Sequence, residues 1–250
     1  YVQSEGAGTG ELYMFYVGGT TSDLLSENII ISDLQIDALD PDLGPDGIKG
    51  IGIANRYSDK CLYSNIYIPR ASYQGFGLGL VSERIVVLSS CSQNAYHYNL
   101  VNYPNNYGAV IGCQFSQKGS VRFNSVGVVI SNCSFYNNTE NCIGFVGDRG
   151  NVVANNIMKS CFGSLVSGSH DEAIIVGNTA MDVTYATLAH MIVKGSRHIV
   201  AFNEMFQIDE SLTQNVFWIE DASNCIFEGN VVYGANRAGM YIYKSSRNLF

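Results

Sequence analysis

Charge is scarce in this chain. Only 14 % of its 250 residues are Asp, Glu, Lys or Arg, too few for a helical bundle, which is built from Ala, Glu, Lys and Leu. Proline occurs 4 times and tryptophan once. Basic residues number 14 against 22 acidic ones, a net charge of −8 with no basic block, so nucleic-acid binding by counterion release lacks its charges. Long apolar runs are missing as well. Asn28-Ile-Ile-Ile31 is among the longest, far short of the roughly 20 residues that span a bilayer, and no membrane insertion is expected. The first residues lack the charged start and apolar core of a signal peptide. The chain opens at Tyr1 and stops at Phe250 inside a repeat, and so reads as a piece of a longer protein.

The seven cysteines are odd in number and sit at strand positions without C-x-x-C pairs. Neither a disulfide framework nor a zinc site fits that pattern. They read as small buried hydrophobes.

What is present is a repeat. A polar turn, two or three β-branched residues, a small polar residue and further alternating apolar residues recur: SENIIISDLQI from Ser26, SDKCLYSNIYI from Ser58, SERIVVLSSCS from Ser82, SVGVVISNCSF from Ser125, GNVVANNIM from Gly150, DEAIIVGNTAM from Asp171, SRHIVAFNEMF from Ser196 and SNCIFEGNVVY from Ser223. Aligned on the small polar residue, the copies place Asp33, Asn65, Ser90, Gly112, Asn132, Asn156, Asn178, Asn203 and Asn230 in one column. A period in the low twenties with strand patterning means one β-coil per repeat. The expected fold is all-β, a right-handed parallel β-helix of about nine to ten coils, with residues 1–25 as an entry segment and 26–250 as repeated coils. Successive coils then stack roughly 4.8 Å apart. Ile29, Cys61, Val86, Val128, Val152, Ile174, Ile199 and Ile226 are expected to form an inward column, and the asparagines a corner whose amides bond along the stack.

Over residues 26–250 this pattern resembles the pectate-lyase-like superfamily of right-handed β-helices. Its texture is similar to phage tailspike depolymerases and to bacterial alginate lyases and mannuronan epimerases. The stretch DLQIDA at Asp33–Ala38 resembles the L-x-I-D-G of an early coil in these proteins. The Asp-Pro-His-Asp/Glu motif of the alginate epimerases is absent from the corresponding stretch GFGLGLVSE, Gly75–Glu83. The resemblance implies polysaccharide cleavage by hydrolysis or β-elimination, with a non-catalytic glycan-binding shaft, or a secreted bacterial lyase or epimerase, as the alternatives.

One strand per coil precedes the polar turn, and alternation sends every second residue outward. Aligning Leu165 and Ser167 with the inward residues exposes Arg122, Val166, Gly168, Lys194, Trp218, Glu220, Tyr241 and Tyr243. The best candidate site lies in the late coils. There Trp218, Tyr241 and Tyr243 would stack on sugar rings, Glu220 would serve as general acid or base, and Lys194 would tune it; a plain ion pair in a packing surface is the alternative. Arg122 joins the substrate-binding set, as do Tyr96 and Tyr98 from the insertion Gln93–Tyr107. Uronate substrates would want Lys194 and Arg122 as cationic neighbours. Asp148 and Asp171 are a second possible carboxylate pair, at turn positions that solvent also explains. No cofactor is expected. The carboxylates Asp37, Asp40, Asp42 and Asp46 of the Asp37–Lys49 insertion have the composition of a Ca²⁺ loop without EF-hand spacing. The expected partner is a surface polysaccharide such as capsule or O-antigen. The expected setting is a virion tail, or secreted, as a homotrimer.

Overall fold

A computed structural model describes residues 11–18, 26–38, 49–117, 119–183, 189–207, 215–235 and 237–250. Every described element is a strand, and the strands pair in parallel. A 12-stranded sheet runs up one side from Glu11–Gly18 to Ala238–Tyr243. A 16-stranded sheet forms the other two sides, its two arms meeting at the long strand Leu62–Ala71. From Gln74–Glu83 onward each coil contributes one strand to the first sheet and a three-residue strand to each arm of the second. Seven such coils are complete, fewer than the nine to ten expected, because the early turns are longer and irregular. The first sheet also takes in Glu11–Gly18, which pairs with Lys49–Arg56.

The core is the space the three sides enclose. Phe76, Phe115, Phe123, Phe135, Phe145 and Phe217 are fully buried within it. In the first arm the inward residues are Val87, Val110, Ile130, Val153, Ile175, Val200 and Phe227, all buried. The column expected inward therefore needs correction in part: Cys61 and Val128 are buried and Ile29 packs on the core, but Val86, Val152, Ile174, Ile199 and Ile226 point outward, with Ile199 42 % exposed. A one-residue slip in aligning a strand exchanges its faces, and β-branched residues on both faces hid the slip.

The corner column needs the same correction, since it is two adjacent columns. Asp33, Asn65, Gly112 and Asn132 hold left-handed φ of 54° to 64°, and are continued by Asn155, Gly177, Phe202 and Gly229. The next residue in each coil turns inward: Ser90, Cys113, Cys133, Asn156, Asn178, Asn203, Asn230. From Asn156 upward these side chains form an amide ladder. Asn156 Nδ2 donates to Asn178 Oδ1, Asn178 Nδ2 to Asn203 Oδ1, and Asn203 Nδ2 to Asn230 Oδ1, each at 2.9 Å. Each amide also donates to a carbonyl of an earlier coil, as Asn178 does to Val153 at 3.0 Å. Buried polar groups are thus satisfied along the stack, which is what makes asparagine tolerable in this core. Cys113 and Cys133 sit one residue before Cys91's place in the repeat; Cys91 pairs with Gln114 in the next position and is half-buried.

Candidate functional site

Register along the first sheet decides which residues share a row. Val121 pairs with Ile143, Ile143 with Val166, and Val166 with Met191, a buried column. Arg122 pairs with Gly144 and Gly144 with Ser167. Ile192 pairs with Trp218 and Trp218 with Tyr241. Because Ser169 pairs with Lys194, Ser167 falls beside Ile192. The outward row is therefore Arg122, Gly144, Ser167, Ile192, Trp218, Tyr241. Val166 and Gly168, expected outward, are corrected: Val166 is buried, Gly168 is level with the buried Phe145, and Ser167, itself only 7 % exposed, takes the row position beside Gly144. The slip arose because Leu165, Val166 and Ser167 give no alternation to read.

The late coils bring five of the expected residues together. Lys194 Nζ lies 2.5 Å from Glu220 Oε2, and Trp218 Nε1 donates to the same oxygen at 3.3 Å. The Lys194 hydrogen bond, chiefly, holds the Glu220 carboxyl below the usual glutamate range. Glu220 is thus a carboxylate across neutral pH and unsuited to donate a proton, and the Lys194 pairing also makes it a weaker base than an unpaired glutamate. The Trp218 and Tyr241 ring centroids are 4.6 Å apart, those of Tyr241 and Tyr243 are 6.5 Å apart, and Lys244 lies over the Tyr243 ring. Glu220 has Lys194 on one side in its row and Tyr243 on the other. Among the described residues no second carboxylate lies beside Glu220 in its row.

The other end of the row holds a cleft of about 220 Å³ lined by Tyr98, Ser120, Arg122, Glu140, Asn141, Gly144, Phe145 and Ser167. Arg122 Nη1 donates to Tyr98 Oη at 2.8 Å, and Ser120 Oγ donates to Glu140 Oε2 at 3.2 Å. Arg122 and Tyr98 were expected to bind substrate. Tyr98, however, belongs to the strand Tyr98–Asn106 and is 8 % exposed, so it offers its hydroxyl to Arg122 rather than a free ring. Tyr96 does not join the cleft; it sits exposed on the preceding turn. Sequence reasoning missed Ser120, Glu140, Asn141 and Ser167, and read Gly144 only as part of a bare outward face. Glu140 and Asn141 lie in a polar turn that reads as solvated. Only the pairing of successive coils places that turn beside Ser120.

Of the other carboxylates singled out from the sequence, Asp171 and Asp37 are engaged elsewhere. Asp171 accepts from Ser196 N at 2.6 Å and Ser196 Oγ at 2.8 Å. Along the backbone, Asp148 is level with His170, not with Asp171. Asp37 pairs with Arg70 at 2.7 Å, while Asp40, Asp42 and Asp46 lie outside the described residues. Among the described residues no group of His, Cys, Asp and Glu is arranged to hold a metal ion, and no helix is long and apolar enough to cross a membrane.

Fold and repeat together define the class. The chain belongs to the right-handed β-helix family: the family described as "Right handed beta helix region" matches residues 120–250. No curated protein sequence matches the chain. Several solved structures share its fold. A DFA-IIIase from Arthrobacter chlorophenolicus A6 without its lid aligns with a TM-score of 0.77 and 12 % identity, over 94 % of this chain and 65 % of that one. The Azotobacter vinelandii mannuronan C-5 epimerase AlgE4 A-module aligns at 0.61 and 12 %, over 94 % and 76 %. PfbA, a surface adhesin of Streptococcus pneumoniae, aligns at 0.56 and 12 %, over 94 % and 77 %. The chain therefore spans just under two thirds of the length of the DFA-IIIase.

Proposed function

We propose that this chain is a polysaccharide-acting β-helix that holds a glycan lengthwise on the outward row of its first sheet. The observation that carries the reading is the row itself, a polar cleft at Arg122 and an aromatic platform at Trp218 and Tyr241, with only Gly144, Ser167 and Ile192 between them. Arg122 and Trp218 are four rungs apart, roughly 19 Å at the usual strand spacing. Indole and phenol faces stack on sugar rings while hydroxyls meet the polar groups. Glu220 serves as the proton acceptor and Lys194 sets its ionisation. The DFA-IIIase of the same fold has been crystallised with GF2 and, as a C387A mutant, with DFA-III. That likeness concerns the fold, and the reaction rests on the site.

The adhesive alternative is favoured by one observation: Glu220 is already paired with Lys194, and among the described residues no second carboxylate stands beside it in its row for a two-carboxylate hydrolysis. Trp218 is the only tryptophan, so its fluorescence reports on the platform directly. A glycan that binds the row changes this emission, and Trp218→Ala weakens binding about tenfold or more. Products released by the wild type but not by Glu220→Gln assign cleavage; binding without products from any bound glycan assigns adhesion. Emission that responds to no glycan removes the whole reading.

For its setting we infer a virion tail or an extracellular location, in its finest form the shaft of a phage tailspike. All seven cysteines are free thiols, which suits assembly in a reducing cytoplasm. A homotrimer is supported by the outward aliphatic column Val129, Val152, Ile174, Ile199 and Ile226, a continuous apolar stripe on an acidic protein. Light scattering at several concentrations tests it, and a monomer at all of them rejects it.

A further inference from the structure

We infer, resting on the first sheet as a glycan-binding face, that the Arg122 cleft is a one-ring subsite for a neutral, hydroxyl-rich sugar. The glycan the face accepts is then a neutral polysaccharide rather than a polyuronate. The sequence pointed the other way, since Lys194 and Arg122 read as cations for uronate carboxylates. The structure engages both. Lys194 is 2.5 Å from the Glu220 carboxylate. Arg122 donates to the Tyr98 hydroxyl and shares its cleft with Glu140. Between the two patches the row carries Gly144, Ser167 and Ile192, with no charge at all. A polyuronate would lay one carboxylate per ring on a face where Lys194 is already paired with Glu220, Arg122 shares its cleft with Glu140, and Lys244 beside Tyr243 is a further cation, in a chain of net charge −8. Most of those carboxylates would be desolvated with no cation of their own to receive them.

A neutral ring fits the chemistry of the cleft. Each sugar hydroxyl both donates and accepts, and the lining offers both partners: the guanidinium of Arg122 as donor, the carboxylate of Glu140 as acceptor, and the hydroxyls of Ser120 and Ser167 as either. About 220 Å³ is less than the roughly 300 Å³ at which clefts begin to enclose a drug-sized ligand, so the cleft seats one ring and not several. Gly144 leaves the seat open. A Cβ built there meets nothing nearer than the Val121 carbonyl oxygen at 3.9 Å. A larger side chain would occupy the ring's place without straining the backbone.

The test is calorimetric titration of the full chain with neutral oligosaccharides (glucan, galactan and fructan series) and with oligomannuronate and oligogalacturonate. A neutral series is expected to bind, with affinity nearly constant as salt rises, and the oligouronates to bind at least about tenfold more weakly. Gly144→Leu, filling the cleft, lowers the affinity for the neutral series about tenfold with melting temperature unchanged, and Arg122→Gln acts in the same direction. Preference for the uronates overturns the inference, as does neutral binding untouched by both variants. The two layers separate through Trp218→Ala. If that variant weakens binding while the cleft variants do not, the face holds glycan and the cleft does not. If none of the three matters, the face itself is misassigned.

Discussion

Glu220 accepts two hydrogen-bond donors at one oxygen, the Lys194 ammonium at 2.5 Å and the Trp218 indole N–H at 3.3 Å. The lysine keeps the carboxyl ionised below the usual glutamate range, and the indole makes that ionisation visible. A pH titration of Trp218 emission is expected to show its inflection below the ordinary glutamate value. Lys194→Ala removes the main cause and moves the inflection up; Glu220→Gln abolishes it. An inflection at the same pH in wild type and Lys194→Ala would show that the pair does not act on the carboxyl.

Acid sensitivity should begin well above the carboxylate range. His170 and His190 are buried, and burial, the largest cause for each, lowers both to about 4. The unfolded chain protonates these rings near 6.5, whereas the folded one resists until about 4, so between those values the unfolded state binds more protons and stability falls as pH falls. One such ring is worth roughly 3 kcal/mol across that window. The urea midpoint is therefore expected to drop from pH 7 to pH 5, and less steeply in His170→Phe. A midpoint that holds or rises at pH 5 would falsify this assignment.

Asn178 joins three coils. Its Oδ1 accepts from Asn156 N and Asn156 Nδ2 at 2.9 Å in the coil before, and its Nδ2 donates to Val153 O of that coil at 3.0 Å and to Asn203 Oδ1 of the coil after at 2.9 Å. Asn178→Ala leaves buried donors and an acceptor unsatisfied and is expected to cost about 2–4 kcal/mol. Thr179→Ala, on the outward neighbour, should stay within about 0.5 kcal/mol. Equal effects in chemical denaturation would mean the ladder contributes nothing particular.

Thiol labelling provides an independent check of the core. Six of the seven cysteines are buried and Cys91 is half-buried, with burial pushing the Cys91 thiol upward. Under native conditions an aromatic disulfide reagent should label Cys91 slowly and the other six far more slowly still. Denaturant should release all seven. Rapid native labelling at Cys113 or Cys133 would contradict the interior described for them.

The coil repeat was legible because a polar turn, apolar strand residues and a small polar residue, asparagine in most copies, recur from copy to copy. The phase within the coil was not. In Ala154-Asn155-Asn156 both the left-handed corner and the inward amide are asparagine, so the sequence does not say which one turns in. Gly177-Asn178 and Gly229-Asn230 resolve it once φ is known, since the glycine holds the corner. The late patch was legible for a different reason. Met191 to Lys194 and Phe217 to Glu220 alternate cleanly, and no bulge intervenes until after Lys194. The Arg122 cleft was legible only in part, because Glu140 reaches it from a turn and Ser167 only through register.

The amide ladder also fixes how the stack can come apart. Asn156, Asn178, Asn203 and Asn230 tie every coil to the next at one interior line, so no coil in that run can open without releasing a neighbour's side chain. Deuterium uptake in this stretch should therefore be all-or-none rather than graded from the free end. The primary amide protons of these asparagines, which trade with solvent quickly on most proteins, should persist there for as long as the backbone beside them.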